Sequence, residues 1–162
     1  MPAQPAISSR PAFVLEDRPV DRKVVLSGLW VAIMFVFAYV DIFGFWRADV
    51  IKGALDGAVP GVGFEINQRF LILTTLYVLI PSLMVLASLV LPARVNRVTQ
   101  LVVAPLYLVS IVIACLEETW VYFLMGSAVE VLLLGVTTWL AWSWPRVLTS
   151  YDARVAAHSR TS

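Results

Sequence analysis

Leu101 to Trp144 reads LVVAPLYLVSIVIACLEETWVYFLMGSAVEVLLLGVTTWLAWSW, an apolar run whose only charged residues are Glu117, Glu118 and Glu130. As one helix rising 1.5 Å per residue it would be about 66 Å long, twice the roughly 30 Å of a bilayer's hydrocarbon core. The chain therefore turns. The polar cluster Glu117-Glu118-Thr119 is where the sequence predicts the turn, with Thr119 capping the next helix. Two spans result, Leu101 to Trp120 and Tyr122 to Trp144. Working outward, Val24 to Phe45 and Phe70 to Leu91 are further apolar runs, each matching the about 20 residues that a crossing needs. The expected fold is an all-α membrane protein, a single domain made of a four-transmembrane-helix bundle.

Composition agrees. Of 162 residues 60% are hydrophobic and 14% charged, net charge is +1 and mean hydropathy is +0.84, far from the usage of soluble domains. Lipid is the expected solvent, and the near-neutral charge offers no field for nucleic acid. The only cysteine is Cys115 and the only histidine His158. That count excludes disulfide frameworks, Cys/His metal clusters, haem held between histidines, a Ser/His/Asp triad and a Cys-x-x-Cys redox pair. No catalytic, cofactor-binding or metal-ligating set is expected.

Residues 1–23, with mixed charges and no apolar stretch, read as a cytoplasmic tail, and 146–162 as another. Lysine and arginine set the orientation. Nine of them, Arg10, Arg18, Arg22, Lys23, Arg94, Arg97, Arg146, Arg154 and Arg160, fall on one side, against Arg47, Lys52 and Arg69 on the other. The positive-inside rule makes the first side, with both termini, cytoplasmic. The outer loop, 46–69, carries a short interfacial helix over Ala48 to Leu55, followed by Gly57, Pro60, Gly61 and Gly63, which interrupt helix. Pro92 and Pro145 stop the second and fourth spans, residues between Pro92 and Leu101 form the inner loop, and Pro81 and Pro105 free carbonyls that neighbouring helices can satisfy.

An ionisable group within a span is costly and is a site candidate whose partner must be named. Asp41, Glu117, Glu118 and Glu130 qualify, all in the outer half. Glu130 is the deepest, and Gly126, Ser127, Glu130, Leu134 and Thr137 share one small, polar helix face that should point inward. Such an acid either binds a cation or stays neutral and donates a hydrogen bond, here to Tyr77 or Ser127. Asp41 and Arg69 stand at matching depth and are expected to pair. Glu117 and Glu118 read most simply as headgroup-level turn residues, and Cys115 as packing. The candidate buried polar or cation site is therefore Glu130, Asp41, Arg69, Tyr77, Ser127 and Glu118.

Tyr39-Val40-Asp41, Gln68-Arg69-Phe70, Tyr122-Phe123 with Gly126 and Glu130, and Trp142-Ser143-Trp144-Pro145 resemble motifs of a family of small four-helix bacterial membrane proteins known only as a domain of unknown function. The resemblance covers about Val24 to Arg146. It implies a bacterial inner-membrane location, one four-helix domain and no assigned activity. Small four-helix multidrug exporters look different, with their essential glutamate on the first helix and shorter loops.

Three functional readings remain, in this order. The first is a non-enzymatic accessory or assembly subunit, partnered by another membrane protein or a second copy of itself. The second is a small cation- or proton-coupled transporter or channel using Glu130. The third is a lipid- or quinone-directed enzyme.

Overall fold

The structure, a computed structural model, describes residues 18–59, 63–116 and 118–145. The expected turn residue Glu117, the loop residues Pro60 and Gly61, and the tail residues Arg10, Arg146, Arg154, His158 and Arg160 lie outside them. The described residues form five helices and no strand: α1 (Arg22–Gly44), α2 (Ala48–Leu55), α3 (Gln68–Val90), α4 (Ala93–Ala114) and α5 (Val121–Trp142). All but α2 are long and apolar enough to cross a membrane. α1 packs along α3 and α5, α4 packs along α5, and α3 meets α4 over only a short stretch.

Local chemistry sets the helix ends. The Asp21 carboxylate accepts from the Lys23 N–H at 2.8 Å, and the Asn67 side chain accepts from the Phe70 N–H at 3.1 Å, each satisfying an otherwise orphaned donor of the first turn. At one end of the molecule basic side chains satisfy the carbonyls that helices leave open. Lys23 Nζ donates to the Leu91 carbonyl at 2.7 Å, Arg22 to Leu140 at 2.8 Å and Arg97 to Ala141 at 3.2 Å, where the helix dipole also favours positive charge. These contacts put the start of α1, the α3–α4 corner and the end of α5 together. The four long helices therefore alternate in direction.

Two sequence-based boundaries are corrected. The third long helix starts at Ala93, not Leu101, because Leu91 and Pro92 alone turn the corner: both are extended (ψ 143° and 148°), the conformation that a following proline favours for Leu91. The residues read as inner loop instead make the first turns of α4, and two of their polar side chains face inward. Asn96 and Gln100 are fully buried. Gln100 accepts from Trp30 Nε1 at 2.7 Å and donates to Ser88 Oγ at 2.8 Å and Asn96 Oδ1 at 3.1 Å; Asn96 donates to the Ser88 carbonyl at 2.6 Å. This layer is closed and joins α1, α3 and α4. At its other end α4 stops at Ala114, not Trp120, and Thr119 does not cap α5. The Glu118 carboxylate accepts from the Thr119 and Trp120 N–H groups instead, at 2.9 and 3.1 Å.

Pro81 sits inside α3 and cannot donate to the Tyr77 carbonyl four residues earlier. The Tyr107 hydroxyl of α4 donates to that carbonyl, so a neighbouring helix meets the need that the proline creates. Pro81 also divides α3. Pro81, Met84 and Ser88 are buried, whereas every residue from 71 to 80 is exposed. The first half of α3 thus stands off from the other helices.

Candidate functional site

Where α3 stands off, all four long helices border one cleft of about 240 Å³, with Asp41 and Phe37 from α1, Thr74 and Tyr77 from α3, Ile111 and Ala114 from α4, and Ser127 and Glu130 from α5. Glu130 lies nine residues into α5, about 13 Å from its start. The face predicted for α5 is the one buried: Ser127, Glu130, Leu134 and Thr137 are all inward. Gly126 completes it by close approach, for a Cβ there would meet Val40 Cγ2 of α1 at under 3.0 Å. That contact sits beside Asp41 and one turn from Glu130, and so fixes how near the two carboxyls lie.

Glu130 is 3% exposed, and its Oε1 has no hydrogen-bond partner among the described residues. The hydrogen bond that Glu130 is expected to donate to Tyr77 or Ser127 is not made through this oxygen. Tyr77 is otherwise engaged: its hydroxyl shares a 2.8 Å hydrogen bond with Ser110 Oγ, and its ring lies 4.8 Å from that of Tyr107. Asp41 borders the same cleft but does not pair with Arg69, which is exposed at the start of α3. Two carboxyls thus share one mostly apolar space with no basic side chain among the described residues lining it.

Glu118 is outside the cleft, in the α4–α5 turn. It pairs with Arg47 at 3.0 Å, the two side chains being 19% and 13% exposed, and Arg47 also pairs with Asp49 at 2.6 Å and stacks 4.7 Å over the Trp120 ring. Burial works to raise the Glu118 carboxyl. It is outweighed by the Arg47 hydrogen bond and the Trp120 and Thr119 N–H groups, which hold Glu118 below its ordinary value. The same Arg47 lowers Asp49. Arg47 therefore ties α2 to the α4–α5 turn, a role that its position in a long outer loop did not reveal. Sequence reasoning also missed Phe37, one apolar residue among many, whose ring stacks on Tyr77 at 6.2 Å.

Over residues 14–149 the chain matches DUF6326, a family of unknown function. The chain belongs to that family. The match runs slightly past the stretch from Val24 to Arg146 on which the resemblance rested. No curated protein and no solved structure matches the chain. For this member of DUF6326 the site must be read from its own geometry, and the Glu130–Asp41 cleft, all of it within the family match, is its distinctive feature.

Proposed function

We propose that this DUF6326 protein is a four-span bundle of the bacterial inner membrane whose Glu130–Asp41 cleft takes up a proton or a small cation, as in a coupled transporter or channel. Insertion is supported by the long helices themselves: only 11 to 22% of each best window is buried inside the protein, so the remaining apolar surface needs an apolar solvent. Arg22, Lys23, Arg94 and Arg97 gather at the end opposite Arg47, Lys52 and Arg69, and under the positive-inside rule this supports a cytoplasmic first end. The cleft then lies in the outer half.

The observation that carries the functional reading is the unpartnered, buried Oε1 of Glu130, a residue that borders a space shared with Asp41. A buried acceptor without a donor costs about 1 to 3 kcal/mol, and two negative charges in a low-dielectric space repel. A shared proton or a bound cation relieves both costs. Proteoliposomes with a pH-sensitive dye inside test this: an imposed gradient should drive proton movement through the wild type and not through Glu130→Gln. Equal movement in both sinks the reading.

A second reading has its own support. Beyond the cleft the interior is closed by the Trp30–Gln100–Asn96–Ser88 layer, with Leu26 and Ile33 fully buried nearby, so one chain does not enclose a complete path. A second copy or a membrane-protein partner would complete it, which also suits an accessory or assembly subunit. Gentle solubilisation and identification of what co-purifies tests that; a clean monomer in several mild detergents counts against it.

A further inference from the structure

We infer that the cargo of the cleft is a hydrophobic organic cation, entering from the side of the protein rather than from water. The inference rests on the reading of the Glu130–Asp41 cleft as a proton or cation site.

Size and lining set the class. An apolar cavity of about 150 Å³ already holds a benzene ring, and this cleft measures about 240 Å³, far more than a bare inorganic ion fills. Hard cations such as Ca²⁺ and Mg²⁺ want six or more oxygen ligands. The cleft supplies two carboxyls and a few hydroxyls, and among the described residues no group of three His, Cys, Asp or Glu could hold a metal ion. Thr74 is further committed, its hydroxyl donating to the Phe70 carbonyl at 3.0 Å. What the walls offer in quantity is aromatic surface: Phe37 and Phe123 line the space with Tyr77. Carboxylate plus ring faces is the combination that recognises an organic ammonium or phosphonium.

The route follows from α3. Tyr77 borders the cleft on one side and, on the other, an outer groove of about 220 Å³ between α3 and α4 lined by Leu73, Leu76, Ile80 and Leu106. Its ring is the partition between an apolar surface that faces lipid and the two acids. α3 here is exposed at every residue from 71 to 80, with Tyr77 its tie to Phe37 and Ser110. A molecule with an apolar body and one positive charge can partition into the bilayer, pass Tyr77 and meet Glu130. It then displaces the proton that the carboxyl pair otherwise shares, one leaving as one cation binds.

Equilibrium dialysis of labelled phenyltrimethylammonium, one ring and one charge, against the full chain in lipid nanodiscs tests this. Saturable binding is expected, weakened on the order of tenfold or more by acidification and by Glu130→Gln, and roughly fivefold by Phe37→Leu, which keeps bulk and removes the ring face. Glu130→Asp, which keeps a carboxyl, should still bind, and Glu118→Gln, outside the cleft, should match the wild type. Monodisperse elution of each variant separates lost binding from lost folding. If wild type shows no saturable binding while Glu130 still exchanges its proton, the organic cation is wrong and the proton or ion site stands. Displacement by sodium or potassium, or unchanged binding in a folded Glu130→Gln, also overturns the inference. No binding and no proton exchange removes both readings.

Discussion

Gly126→Ala couples the packing of α1 and α5 to the geometry of the cleft. The new Cβ would lie under 3.0 Å from Val40 Cγ2, with Val36 Cγ1 at 3.6 Å and Val40 Cβ at 3.8 Å, whereas ordinary contact begins at 3.4 Å. Val40 is β-branched and has one preferred rotamer on a helix, so its methyl cannot swing aside. The helices must instead part by about half an ångström or more, and overpacking of this kind costs about 1 to 3 kcal/mol. Val40→Ala removes the offending methyl, so the double variant should recover most of that loss. The assay is a double-mutant cycle of unfolding in mixed micelles, with proton exchange at Glu130 as a second readout, since Val40 adjoins Asp41. Costs that add within about 0.5 kcal/mol would mean that the contact does not limit the approach of α1 to α5.

Three further outcomes check other parts of the fold. Gln100→Leu should destabilise by about 1 to 3 kcal/mol by orphaning the Trp30 N–H and Asn96 Oδ1, measured by unfolding in micelles; an unchanged stability would mean that the buried layer contributes nothing. Tyr107→Phe should cost about 1 kcal/mol in the wild type and less in a Pro81→Ala background, where residue 81 regains the N–H that serves the Tyr77 carbonyl. The Arg47–Glu118 pair should be pH-sensitive. Because Glu118 is held below its ordinary 4.5, its contribution is complete above that value and disappears as pH falls through the lowered folded value. Thermal melts of wild type and Glu118→Gln should therefore differ at neutral pH and converge in acid.

The long helices were legible because each must be apolar over about 20 residues, and α5's inward face because a lone acid among small residues has one tolerable direction. Ala48–Leu55 was legible for a related reason, a short amphipathic period bounded by glycine. The start of α4 was hidden: Arg94, Asn96, Arg97, Thr99 and Gln100 look like a loop until Trp30 and Ser88 supply partners, and those lie on other helices. Asp41 and Arg69 misled because depth along an axis says nothing of separation across it. Arg47 was invisible as a clamp, since pairing with Glu118 needs the turn that brings the two loops together.

The most direct test of the central claim is infrared difference spectroscopy of the reconstituted protein, carried from acid to alkaline pH, with ¹³C-labelled glutamate. Glu130 in the cleft should give a protonated-carboxyl band that disappears on alkalinisation, shifts with the label and is absent in Glu130→Gln. A spectrum that keeps this band unchanged in Glu130→Gln, or shows no titrating glutamate at all, would contradict a proton-exchanging site between the four helices.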